Sequence, residues 1–162
     1  MLTYLLRLGC STLMLTVLTL PAQAELSNQT LNPLQFGMII YGVGAIGSDA
    51  IQLSPNGDQR LPNNVTTAGT KHAALLRVFD TPGSTVQLSF NEATPLYAVN
   101  QQSATLSQFT SNQPNNTCTI GGEGYCDFNI GAQLTISGHR SGYYQGAFSV
   151  QINELPTGES SS

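Results

Sequence analysis

The sequence predicts an all-β domain, an antiparallel β-sandwich of about eight short strands. Three observations lead there. From Leu34 onward, apolar residues recur at alternate positions in short runs; clusters of Gly, Pro, Asn and Ser separate those runs; and no segment sustains the 3.6-residue period of an amphipathic helix. Each strand so defined has one apolar face, and a second sheet is needed to bury it. A closed barrel is the alternative arrangement.

Taken in order, residues 1–24 come first. Arg7 supplies a positive start, an apolar run follows over 8–20, and Pro21-Ala22-Gln23-Ala24 ends it with the small residues a signal peptidase reads. The run is shorter than the ~20 residues that span a bilayer, so a cleaved signal peptide is expected and no membrane span should remain after cleavage. Cys10 is a weaker lipoprotein candidate, because Arg7 stands three residues before it. The rest divides into a short N-terminal extension (25–33), a sandwich domain (34–154) and a disordered tail (155–162).

Within the domain, residues 34–40 form the first predicted strand, and the flexible Gly42-Val43-Gly44-Ala45-Ile46-Gly47 follows. That segment matches Gly-x-Gly-x-x-Gly formally, but it lacks a flanking βαβ unit, which argues against nucleotide binding. A strand over 50–53 ends at Ser54-Pro55-Asn56-Gly57, a tight-turn signal. Residues 73–79 and 86–90 are expected to pair as a hairpin across Asp80-Thr81-Pro82-Gly83-Ser84. The stretch 91–117, rich in Gln, Asn and Ser, reads as long surface connections around one or two short strands. Strands over 126–130, 133–136 and 145–153 complete the order, and in the last of them Tyr144, Phe148, Val150 and Ile152 share a face.

Composition limits the chemistry. Nine acidic residues face five basic ones, a net charge of −4, and once Arg7 has left only Arg60, Lys71, Arg77 and Arg140 remain, scattered along the chain. Nucleic acid, which needs clustered Lys and Arg, is not an expected partner. Two cysteines follow the signal, Cys118 and Cys126, and an even pair in an exported chain reads as a disulfide, here stapling a hairpin or loop across three glycines. They are too few to build a structural zinc site.

His72 and His139 are the only histidines, and no Gly-x-Ser-x-Gly nucleophile occurs, so no catalytic residue is assigned and no enzyme is expected. Asp49, Asp58, Asp80 and Asp127 lie at or near turns, but without the closely spaced acidic run of a calcium loop they read as backbone caps, and no metal or cofactor is expected. Tyr97, Tyr125 and Tyr143 are the candidate ligand-contact residues, aromatic faces on which a glycan could stack.

Five segments carry a resemblance when taken in order. They are Leu34-Gln35-Phe36-Gly37; Ile51-Gln52-Leu53-Ser54-Pro55-Asn56-Gly57; Leu76-Arg77-Val78-Phe79-Asp80-Thr81-Pro82-Gly83; Gly131-Ala132-Gln133-Leu134-Thr135-Ile136; and Gly142-Tyr143-Tyr144-Gln145-Gly146-Ala147-Phe148-Ser149-Val150. In this order the chain resembles a bacterial exported family known as domain of unknown function 4402. The resemblance implies an immunoglobulin-like antiparallel β-sandwich, similar in strand pattern to pilus subunits, and no catalytic site. The chain departs from the family's usual pattern in its 118–126 loop and at Arg77 and Asp80.

The functional expectation is an exported surface protein, structural or adhesive and fimbrial-like, located in the secreted, periplasmic or cell-surface space. Its expected partners are further copies of itself, other cell-surface subunits, or glycan. The alternative is a self-complete secreted module that binds glycan or matrix ligands without polymer assembly. Residues 25–33 make a poor donor for strand exchange, because Leu26 and Leu31 face opposite ways in a strand and Pro33 lacks a backbone donor.

Overall fold

The computed structural model describes residues 25–43, 49–97, 103–138, 140–144 and 147–156. The signal peptide expected at 1–24, the segment 44–48, His139 and the residues beyond 156 lie outside the described residues. The described residues form twelve strands: β1 (Ser27–Asn32), β2 (Met38–Tyr41), β3 (Asp49–Leu53), β4 (Gln59–Arg60), β5 (Val65–Ala68), β6 (Ala74–Phe79), β7 (Thr85–Phe90), β8 (Ala93–Tyr97), β9 (Ser103–Ser111), β10 (Thr117–Thr119), β11 (Tyr125–Ile136) and β12 (Val150–Leu155). All their pairings are antiparallel.

One layer is a large sheet organised around β11, whose even-numbered residues from Cys126 to Ile136 are all buried. Ile130 pairs with both Ala74 of β6 and Ser111 of β9, and residues 133–136 pair with β3 on one side and β9 on the other. So β6 and β3 follow one another along a single edge of β11. Beyond them lie β1 and β4, and β8 extends the sheet past β9. The opposite layer consists of two smaller sheets, β10-β7-β12 and β2-β5.

Two apolar clusters fill the interior. One joins Leu76, Val78, Phe128 and Ile130 of the large sheet to Val86 and Leu88 of β7; the other joins Ile51, Leu106, Leu134 and Ile136 to Ile39 and Val65 of the β2-β5 pair. Phe128 has no exposed surface, and its burial alone contributes about 3 kcal/mol. Leu34, Phe109 and Phe148 touch both clusters.

Several sequence expectations are corrected. The strands at 74–79 and 85–90 are not a hairpin: β6 belongs to the large sheet and β7 to the facing one. Their apolar faces, Leu76 and Val78 on one and Val86 and Leu88 on the other, meet across the core rather than side by side. The two strands expected at 126–130 and 133–136 are one, because Gly131 and Ala132 stay in the pleat. The first strand starts at Met38 rather than Leu34, since Gly37 takes a left-handed φ of 77°, which breaks the extended run. The last strand starts at Val150 and runs to Leu155, into the segment read as tail.

The segment 25–33 contains β1, which the sequence did not announce: all six of its residues are exposed, so it has no apolar alternation to see. Its pairing with β6 rests on backbone register, Asn28 opposite Val78 and Thr30 opposite Leu76. The disulfide also differs in kind from a hairpin staple. Cys118 on β10 and Cys126 on β11 are bonded with Cα atoms 6.5 Å apart, so the bridge ties the two layers together.

Candidate functional site

A groove of about 650 Å³ opens where the facing layer is split, between β12 and the segment leading into β2. Its floor is apolar large-sheet surface: Ala74 and Leu76 of β6, Ile130 of β11, Leu96 and Leu106. β12 forms one wall with Val150 and Ile152, preceded by Ala147 and Phe148. The other wall carries Asn28 and Thr30 of β1 and residues 33–37.

Local chemistry explains how each wall is held. Gln35 pairs with His72 through two backbone hydrogen bonds of 3.0 and 2.9 Å. The Phe36 carbonyl accepts a 3.0 Å bond from Gln59 Nε2, and Gln59 Oε1 accepts from Thr67 Oγ1 at 2.7 Å. A Cβ on Gly37 would stand 2.7 Å from the Ala68 carbonyl oxygen, so only glycine lets the chain turn this close to β5. Phe148 is held from below by a ring stack: its centroid is 5.1 Å from Phe109, which is 5.4 Å from Phe90.

Phe109 reaches that stack through a β-bulge. Gly131 pairs with Thr110 but Gln133 pairs with Ser107, so Gln108 and Phe109 together face Ala132, and Gln108 takes a φ of 49°. The extra residue shifts the phase of β9, turning odd-numbered Phe109 to the side on which Ala104 and Leu106 are buried.

Two tyrosines stand at the groove. Tyr143 is 54% exposed, and Tyr144 donates a 2.6 Å hydrogen bond to the Arg140 carbonyl. Burial pushes the Tyr144 hydroxyl above its ordinary pKa, so it stays a donor at neutral pH. Among the described residues, the lining contains no Asp, Glu, Lys, Arg, His or Cys. Such a surface holds uncharged, mostly apolar matter and offers no proton-transfer pair.

The other candidate residues lie elsewhere. Tyr125 is on the outer face of the large sheet, with the Arg77 guanidinium 3.9 Å above its ring and Phe79 edge-on at 6.1 Å. Arg77 also grips Asp127 with two 2.8 Å bonds, which hold the Asp127 carboxyl below its ordinary value. A hydrogen bond with the Glu123 side chain, first among the causes, raises the Tyr125 hydroxyl. The side chain of Tyr97 lies outside the described residues. The structure therefore brings Tyr143 to the groove and Tyr125 to a separate face.

The departures at Arg77 and Asp80 acquire local partners. Asp80 is buried, and its Oδ1 accepts the Thr81 backbone N–H at 2.7 Å, a local bond at the start of the arch from β6 to β7. Its other oxygen has no hydrogen-bond partner among the described residues. His72 places Nδ1 3.3 Å from the Ala73 carbonyl. No group of three His, Cys, Asp or Glu side chains among the described residues is placed to hold a metal ion. No helix there is long and apolar enough to cross a membrane.

A smaller recess of about 390 Å³ lies near the β3-β4 turn, where Gln52, Asp58, Arg60 and Gln133 stand beside Leu53, Pro55 and Ala132. Gln52 Nε2 donates to Gln133 Oε1 at 3.3 Å.

Sequence reasoning placed Phe148, Val150 and Ile152 on one face by alternation, and that face lines the groove. It missed the wall made by β1, for which the only available signal was the run of residues able to pair by backbone alone.

Compared with known proteins, residues 26–153 match the family described as "Domain of unknown function (DUF4402)". No curated protein and no solved structure matches the chain.

Proposed function

The chain belongs to the DUF4402 family of domains of unknown function, and from that premise we propose that it is an exported bacterial surface protein with a structural or adhesive, fimbrial-like role and no enzymatic activity. The observation that carries this reading is the uncharged apolar groove opening beside β12, in a sandwich whose layers are joined by a disulfide. A disulfide suits an oxidising compartment, in keeping with an export signal at 1–24. An immunoglobulin-like strand arrangement is part of the same proposal, as is the location outside the cytoplasm.

A second reading, the self-complete binding module, is favoured by one feature. Tyr143, 54% exposed at the groove, offers an aromatic face to a sugar ring.

Labelling of intact cells with an antibody against the domain tests the location. The expected result is surface signal from a form lacking residues 1–24, together with reduced attachment or fewer appendages in a deletion strain. Signal confined to the cytoplasm would overturn the reading.

A further inference from the structure

The small sheet β10-β7-β12 ends at β12: among the described residues, β12 pairs with β7 and no strand pairs with its outer edge. That edge presents backbone N–H and C=O groups in a row beside the groove. Across the groove, the inward face of β1 is also uncovered. Asn28 and Thr30 stand in register with buried Val78 and Leu76, yet both are exposed. The facing layer is thus narrower than the large sheet by the space between β12 and the 33–37 segment, and that space has the apolar floor of Leu76 and Ile130.

We propose that this space accepts one extended segment of another polypeptide, which pairs with the outer edge of β12 and sets apolar side chains at alternate positions onto the groove floor. The assignment rests on the surface-assembly reading and names the partner and the face it would use. Alternation follows from strand geometry, since only every second side chain of a strand on β12 turns toward the floor. The absence of charge in the lining requires those inward side chains to be uncharged. A lipid or other small apolar molecule would fill the floor and leave the β12 edge groups to water, whereas a peptide strand uses both features.

The segment is assigned to a different polypeptide, because neither residues 25–33 nor residues 156–162 suit the floor. Residues 27–32 are already committed to β6. Leu26 and Leu31 are an odd number of positions apart, so they cannot both face the floor. Residues 156–162 read Pro-Thr-Gly-Glu-Ser-Ser-Ser and carry no apolar side chain beyond the proline.

The test uses the disulfide-bonded protein as exported and a capped peptide of alternating valine and threonine, with the same peptide interrupted by a central proline as its control. The expected result is a rise of about 5 °C or more in the unfolding midpoint and slowed amide exchange in β12 with the alternating peptide only. Ala147→Trp, at an exposed position in the groove wall, should weaken peptide affinity about tenfold or more while the free protein stays folded. Tyr125→Ala, on the other face, should leave affinity unchanged.

No binding by a folded protein, equal binding of the proline-interrupted peptide, or binding without protection of β12 would each overturn the acceptor. Polymers of this chain alone that Ala147→Trp dissolves would overturn the assignment to a different polypeptide. Surface labelling is independent of all these outcomes, so a failed acceptor with intact surface signal leaves the broader reading standing, and the reverse result does not rescue it.

Discussion

Gly131 sits where the longest strand passes under another part of the chain. A Cβ there would come 2.7 Å from the Ser54 carbonyl carbon and 2.8 Å from the Pro55 nitrogen, both backbone atoms that cannot swing away. Gly131→Ala is therefore expected to cost about 3 kcal/mol or more, measured by chemical denaturation, because either β11 or the β3-β4 turn must move. At Asp127 the expectation concerns acid. Arg77 lowers the Asp127 pKa below its ordinary 3.8, so the stabilisation is present above that value and is lost as pH falls through the lower folded-state value. Thermal unfolding should thus show a midpoint that drops on acidification below about pH 4, with a smaller drop in Asp127→Asn. Residues of this kind were only partly legible in sequence. The turn at Gly57, with its φ of 86°, announces itself through Asn56-Gly57. The bulge at Gln108 does not, because a glutamine in a left-handed conformation is imposed by the packing of Phe109 rather than by its own preference.

Strands with strong alternation were read with good boundaries. β3, β6 and β7 match the predicted segments within a residue, since each carries two or three buried apolar side chains on one face. Polar strands were invisible as such: β1, β4 and β10 contain few or no buried side chains and are specified by neighbours that are distant in sequence. Pairing was the harder problem. A five-residue link can close a hairpin or carry the chain from one layer to the other, and alternation is identical in both cases. The pairing of Cys118 with Cys126 was legible from their number, but its role as a tie between layers depended on β10 joining β7. Cys118→Ser with Cys126→Ser should lower stability by about 2–3 kcal/mol, and reduction of the native protein should reproduce the loss, both read by calorimetry.

At the scale of the whole molecule, the all-β class and the antiparallel layering followed from periodicity and turn spacing. The groove did not, because it arises from a strand position left open between two sheets and has no residue of its own to mark it. Of the two candidate tyrosines whose side chains are described, Tyr143 is placed at the groove, and residue type could not separate it from Tyr125, which is occupied by Arg77 and Phe79. Light scattering of the purified domain should find a folded monomer in the absence of any partner, because residues 27–32 close onto β6 within one chain. Large assemblies formed by the isolated protein would contradict that expectation.

The covalent tie between layers has a mechanical meaning. β1, near one end of the described chain, hangs on β6 and β11; β12, near the other, hangs on β7 and β10. Tension pulling β1 and β12 apart would tend to separate the layers like the halves of a shell, with side-chain packing and the link between β6 and β7 resisting. With Cys118 bonded to Cys126, the load has a second route from β1 through β6, β11, the bridge, β10 and β7 to β12, in which every step is a hydrogen-bonded ladder or a covalent bond. A domain wired in this way can yield at a terminal strand while its two halves stay joined.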